Sequence, residues 1–315
     1  MIMSRKKIIY IFAIGITLIL IALNIKIETD FRYPNTPNLE AIQNMNGYPL
    51  KVRISQEKLY GVKIAIIDSG IDGNQKNLTL NEIASSQRFG DKSHGTIIAS
   101  VIGARECENL NFNGILPGIT LYTYDIHSDT LNTETLSKAI DEVSHIGVDV
   151  INISLSTYKD TPSLKNSVEK AVNSGITIVA SVGNDSSKQY SYPASYKIPG
   201  VISVGALDEN LDVWSLSNFN DTVDIFVPGT KIYSINHKLS GDSVEIFNGT
   251  SLAAPLVTTW VAMLLATNPN LTPKNIESII QETARRHLVN WKQSRVNIQM
   301  ADINGSLLKA INFVE

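Results

Sequence analysis

From Gly61 onward, short runs of β-branched residues alternate with longer stretches patterned for helices, and this rhythm narrows the folds open to the chain more than any other feature. The runs over 62–67, 120–124, 148–154, 176–181 and 201–206 are mostly apolar, which suits strands covered on both faces. Helices are predicted between them at about 94–103, 133–145, 162–174 and 252–267. A further helix opens at Thr272-Pro273, with Thr at the N-cap and Pro at the first helical position. The implied fold is α/β, a mostly parallel central sheet with helices on both faces in three layers. In such sheets ligands bind beyond the carboxyl ends of the strands, so the residues just after those strands are the ones to examine for chemistry.

The sequence before this region is of another kind. Arg5, Lys6 and Lys7 precede an apolar run over 8–25, near the lower edge of the roughly 17–25 residues that span a bilayer. A basic flank over 1–7 stays cytoplasmic and places the downstream chain outside. An uncleaved anchor and a cleaved signal peptide are both open readings. The run is long for a signal-peptide core, and Ala22-Leu23-Asn24-Ile25-Lys26 lacks a clear small-x-small site, which favours the anchor. The expected location is the cell membrane, single-pass, with the main domain extracellular; secretion after cleavage is the alternative. Residues 26–60 carry Pro34, Pro37 and Pro49 without sustained periodicity, and read as a tether and N-terminal arm. Residues 61–315 form the main domain.

Composition removes some partners. A net charge of −3 gives no basic excess to track a phosphate backbone, so no nucleic acid is expected. Cys107 is the one cysteine in 315 residues, so core burial, with or without a bound ion, must hold the fold in place of a disulfide.

Three segments carry chemistry-bearing residues. The run ending at Ile67 delivers Asp68 to a strand end, followed by Ser69-Gly70-Ile71-Asp72; alone, an Asp before a Gly-containing turn reads equally well as an Asx-turn residue. Ser93-His94-Gly95-Thr96 sets a histidine at the mouth of an apolar helix among small neighbours that leave its ring accessible. Phe247-Asn248-Gly249-Thr250-Ser251-Leu252-Ala253-Ala254-Pro255 puts a serine at a helix start, where backbone N–H groups and the helix dipole favour negative charge, although a Ser there is also an ordinary N-cap.

In the order Asp, His, Ser, these segments resemble the subtilisin family of serine peptidases. The resemblance extends to Gly114-Ile115-Leu116-Pro117, Asp149-Val150-Ile151-Asn152-Ile153-Ser154-Leu155-Ser156, Ala180-Ser181-Val182-Gly183-Asn184, Tyr192-Pro193 and Val227-Pro228-Gly229, and covers roughly 61–311. It implies a serine endopeptidase with Asp68, His94 and Ser251 as catalytic triad and Asn184 as oxyanion-hole donor. It further implies an extended polypeptide substrate held by Ser154, Leu155, Ser156, Gly183 and Ser191. No cofactor is needed for that chemistry. Structural calcium is left open by the oxygen-rich stretch Glu106-Cys107-Glu108-Asn109-Leu110-Asn111-Phe112-Asn113, and no metal ligand is assigned.

Three departures from the family pattern stand out. The 26–60 segment leaves no room for the folded propeptide of many secreted relatives, and resembles shorter leader-processing members. Ser156 and Ser191 stand where the family usually has Gly, adding bulk beside the substrate. Ser191 with Asp185 points to a polar or acidic primary pocket.

Overall fold

The computed structural model describes residues 29–85, 93–106, 110–126, 128–236 and 243–313. The expected anchor and its basic flank lie outside them. The strands are β1 (Ile64–Asp68), β2 (Thr79–Ser85), β3 (Thr120–Asp125), β4 (Val150–Ile153), β5 (Thr177–Ser181), β6 (Val201–Leu207), β7 (Ile225–Pro228), β8 (Ile232–Asn236), β9 (Ser243–Phe247), β10 (Arg285–Trp291) and β11 (Ser294–Met300). The helices are α1 (Leu39–Asn44), α2 (Gln56–Gly61), α3 (His94–Gly103), α4 (Thr133–Ser144), α5 (Pro162–Asn173), α6 (Thr250–Thr267), α7 (Pro273–Thr283) and α8 (Ile303–Ile311).

Nine strands form one sheet in the order β10-β11-β7-β6-β5-β4-β1-β3-β2, and β8 and β9 pair separately. All neighbours in the large sheet are parallel except β10 with β11. β1 lies between β3 and β4, so the chain builds outward from it in both directions. The carboxyl ends of β1 and β4 therefore flank the point where strand order reverses, and a crevice opens there.

Period-two alternation decides which side chain enters which layer. Ile64 and Ile66 of β1 pack into the core shared with α3, α6, α7 and α8, whereas Ala65 and Ile67 face α4 and α5 across the sheet. Burial on both faces explains why these strands read as continuous apolar runs. The α6 helix is apolar all round for the same reason: its 18 residues have mean hydropathy 1.5 and are 89% buried, which marks a core helix.

The strand expected over 148–154 is shorter, because Ser154, Leu155 and Ser156 leave the ladder after Ile153. The helix expected from Leu252 begins two residues earlier, at Thr250. Thr272 caps α7 through the Asn275 N–H, with Pro273 in the first turn. The arm is folded onto the body. Phe31, Ile42, Met45 and Ile54 are buried in the main core. The Asn38 side chain accepts from Tyr233 N at 2.8 Å and donates to Tyr233 O at 2.9 Å, and Tyr33 Oη donates to Met263 Sδ at 3.4 Å.

One partly buried polar cluster sets a pH response. Glu277 on α7 accepts the Gly200 N–H at 2.6 Å, and Gln281 donates to both Glu277 and Asp224 at 3.1 and 2.8 Å. Burial, then the nearby Asp224 charge, pushes the Glu277 carboxyl from its ordinary 4.5 up to about 7. A carboxyl whose folded pKa is raised binds its proton more tightly in the native state. Its stabilising contribution is complete below about pH 4.5 and lost as pH rises through about 7. Thermal melts across that window should show Glu277→Gln losing less stability with rising pH than the parent; parallel curves would contradict the assignment.

Candidate active site

Each functional side chain is delivered by the end of a regular element. Asp68 is the last residue of β1 and wholly buried. His94 is the first residue of α3, and its Nδ1 lies 2.6 Å from Asp68 Oδ1. The Ser69 N–H also donates to Asp68 Oδ1, at 2.7 Å. Asp68 Oδ2 is buried without a hydrogen-bond partner among the described residues. An uncompensated buried charge is costly, and that cost falls when the neighbouring imidazole becomes a cation. The His94 side chain remains 39% exposed, so its far nitrogen can be reached. Gly95 is required by packing: a Cβ there would stand 2.3 Å from Ile71 Cγ1.

Ser251 occupies the second position of α6, inside the first turn whose N–H groups lack intrahelical partners. Its Oγ donates to Ser154 O at 3.3 Å. Pro255, four residues on, has no N–H to offer, which frees the Ser251 carbonyl from the usual helical bond. Ser154 Oγ fills that gap, donating to Ser251 O at 3.0 Å. Ser154 in turn accepts from Asn152 Nδ2 at 3.1 Å, and Thr258 Oγ1 donates to Asn152 Oδ1 at 2.9 Å. A buried chain of polar groups thus ties the end of β4 to α6 and fixes where the serine sits. Sequence reasoning missed Asn152 and Thr258. The signal was available in a polar residue inside an apolar strand and another on an all-apolar helix.

Asn184 is exposed just beyond β5. Its Oδ1 accepts from Thr250 N at 2.9 Å and Thr250 Oγ1 at 2.8 Å, which leaves Nδ2 as the end free to donate beside the start of α6. Gly183 holds φ +99°, and a Cβ there would meet Asn218 Nδ2 at 2.6 Å, so only glycine turns the chain here without strain. The Gly183 N–H donates to Thr250 Oγ1 at 3.2 Å, a second tie between this turn and α6.

The structure distributes the other expected substrate contacts unevenly. No main-chain hydrogen bond among the described residues uses Leu155 or Ser156, so this released edge can pair with an added strand. Beyond it, Thr157 pairs with Tyr192 in both directions, at 3.0 and 2.8 Å. Ser191 is fully buried, and its hydroxyl donates to Val182 O at 2.6 Å, so it presents bulk and no free hydroxyl. Asp185 is exposed and accepts from the Tyr158 hydroxyl. Burial first, then this bond, holds that phenol above its ordinary pKa. Of the polar pair expected in the primary pocket, the Asp185 carboxylate alone remains exposed.

In the stretch read as an ion loop, residues 107–109 lie outside the described ones. Asn113 is committed to the arm: its side chain donates to Asn35 O at 3.3 Å and its carbonyl accepts from Thr36 Oγ1 at 2.7 Å. Among the described residues no group of three or more His, Cys, Asp or Glu side chains is placed to hold a metal ion.

Known proteins match over the same region. The subtilase family model (Peptidase S8) matches residues 60–302. Subtilisin amylosacchariticus of Bacillus subtilis subsp. amylosacchariticus is 32% identical over 255 residues, covering 76% of this chain and 65% of that protein. The chain thus spans 65% of the length of the first curated relatives it matches. Subtilisin DY of Bacillus licheniformis is 31% identical over 253 residues, covering 76% of this chain and 90% of that protein. Among solved structures, the prenylagaramide maturation protease PagA aligns with a TM-score of 0.66 and 23% identity, covering 80% of this chain and 98% of that one. This last likeness is one of fold.

Proposed function

The chain belongs to the subtilase family, and on that premise we propose that it is a serine endopeptidase that cleaves extended polypeptide segments outside the cytoplasm, held at the membrane by its N-terminal segment. The observation that carries the chemistry is the buried Asp68 carboxylate gripping His94 at 2.6 Å, in a chain whose Ser251 stands in the first turn of α6. His94 takes the Ser251 Oγ proton as Oγ bonds to the substrate carbonyl carbon, and the carbonyl π pair moves onto oxygen. Asp68 orients the ring and stabilises the imidazolium without taking the proton. The tetrahedral intermediate collapses, the C–N bond breaks, and His94 returns the proton to the leaving amine. Water, activated by the same histidine, then hydrolyses the acyl-enzyme.

Asn184 Nδ2 and the Ser251 N–H serve as donors to the developing oxyanion. Orientation of the amide by Thr250 supports this role, because the donor is aimed before charge appears and needs no reorganisation. The unpaired edge at Leu155 and Ser156 supports an extended substrate, read through its main chain. The Arg5-Lys6-Lys7 flank and the apolar run over 8–25 support the membrane location. A processing role on leader segments fits a chain without room for a folded propeptide between that run and the enzyme domain.

Two experiments test this reading. Asn184→Ala should lower kcat by about 100-fold or more, a magnitude taken over from such donors in this family, with KM nearly unchanged. A purely structural Asn184 would instead lower the melting temperature and leave kcat within about threefold. For the location, full-length protein should remain with membranes through carbonate extraction and be digested by protease added to intact spheroplasts. A soluble product beginning near Lys26 would show that the segment is cleaved.

A further inference from the structure

The arm's first described residues pair with its own last stretch, and both strands of that pairing are seated on the body through Phe31 and Ile54, buried in the main core. Gln56 N donates to Thr29 O at 2.8 Å, and Phe31 N donates to Ile54 O at 2.7 Å. Only Lys26, Ile27 and Glu28 separate this docked point from Ile25, the last residue of the apolar run. Fully extended, that connection reaches at most about 14 Å. An anchored chain therefore has no freedom to lift this face of the domain far from the bilayer.

The composition of this face suits that position. A cleft of about 370 Å³ opens here between Asp30, Arg32, Tyr33, Tyr48, Leu50 and Arg53. Phe31 meets Tyr33 edge-on at 5.4 Å and Tyr33 lies tilted against Tyr48 at 6.3 Å, so two inward rings support Tyr48, which stands 44% exposed. Arg53 is 86% exposed and pairs with Asp30 at 2.7 Å, while Arg32 and Lys51 also face solvent. The cleft thus carries two cations, Arg32 and Arg53, against the one carboxylate of Asp30, and the exposed Lys51 adjoins its lining residues Leu50 and Val52 in the chain. The rest of the domain has the opposite sign: of the net −3, residues 1–28 contribute +3 through four basic residues and one acidic, which leaves −6 on residues 29–315. An anionic membrane disfavours a body of that net charge, and a locally basic spot lowers the cost of approach. Tyrosine and arginine are also the side chains that settle at the headgroup level.

Resting on the membrane anchoring proposed above, we infer that the face formed by Arg32, Tyr48 and Arg53, with Lys51 next to it in the chain, lies against the headgroups of anionic phospholipids and sets the orientation of the enzyme on the bilayer. The tether brings the cations within reach of the surface, and the surface potential acts on them over roughly a Debye length, about 8 Å at physiological ionic strength.

The test uses the full chain, protected from self-digestion by Ser251→Ala, in nanodiscs of phosphatidylglycerol or of phosphatidylcholine. Acetylation by a water-soluble reagent is followed at Lys51 and at Lys165, which lies on α5 across the sheet. Lys51 should react about fivefold more slowly in phosphatidylglycerol discs, with Lys165 unchanged, a factor that matches one cation held at an anionic surface. Arg32→Gln with Arg53→Gln should erase the difference while the melting temperature stays put. Equal Lys51 rates in the two lipids, with protein retained in the discs, would overturn the inference and leave the anchor standing. Protein that elutes free of discs would overturn the anchor and this inference with it. Slowing by inorganic phosphate in phosphatidylcholine discs, to the same degree, would assign the cleft to free anions and overturn the lipid assignment.

Discussion

The Asp68 carboxylate is buried at the carboxyl end of β1 with one oxygen on His94 and the Ser69 N–H and the other without a partner among the described residues. A charge in that position is tolerable only where the surrounding structure holds a partner against it, so the rest of the site is organised to keep the imidazole there. The α3 helix begins at His94, and Gly95 N and Thr96 N donate to Ser69 O and Gly70 O at 2.8 and 3.2 Å, tying the helix start to the turn after β1. The crevice where strand order reverses supplies the opening through which a substrate can reach the exposed side of the ring.

Ser251 is fixed by a different device. Pro255 removes one helical hydrogen bond, and the vacated Ser251 carbonyl accepts from Ser154, itself held by Asn152 and Thr258. The same segment then leaves the sheet and frees its main chain at Leu155 and Ser156. One stretch of five residues, Asn152 to Ser156, therefore positions the serine from inside and offers an edge to the substrate outside. Asn184 is set in parallel fashion, its oxygen spent on Thr250 so that its nitrogen is the end left to donate. Both devices reach α6, and a shift of that helix would move Ser251 and the Asn184 amide together.

Much of the fold was legible in the sequence because the buried parallel strands need apolar residues on both faces, and because His94 and Ser251 lie in the first turns of helices that the apolar runs after them predict. The edges were harder. The β10–β11 hairpin is half exposed and rich in charge, and its buried residues Val289, Trp291, Ile298 and Met300 alternate with polar ones. That period-two signal was present but short. The arm from Thr29 to Tyr60 has helices of six residues each, too short to show a period, and its stability comes from contacts such as Asn38 with Tyr233 that lie far apart in sequence. The reach of Ser191 was misjudged for a related reason: its hydroxyl turns to a main-chain carbonyl from another strand end, which spacing along the chain does not reveal.

The central claim is that Ser251 is made nucleophilic by His94 held on Asp68. Covalent labelling by a serine-directed fluorophosphonate, located by mass spectrometry of the digest, tests it most directly. The account predicts modification at Ser251 alone, with the labelling rate falling by about 100-fold or more in His94→Ala, in line with loss of a general base. Labelling at another residue, or at Ser251 with equal speed in His94→Ala, would contradict it.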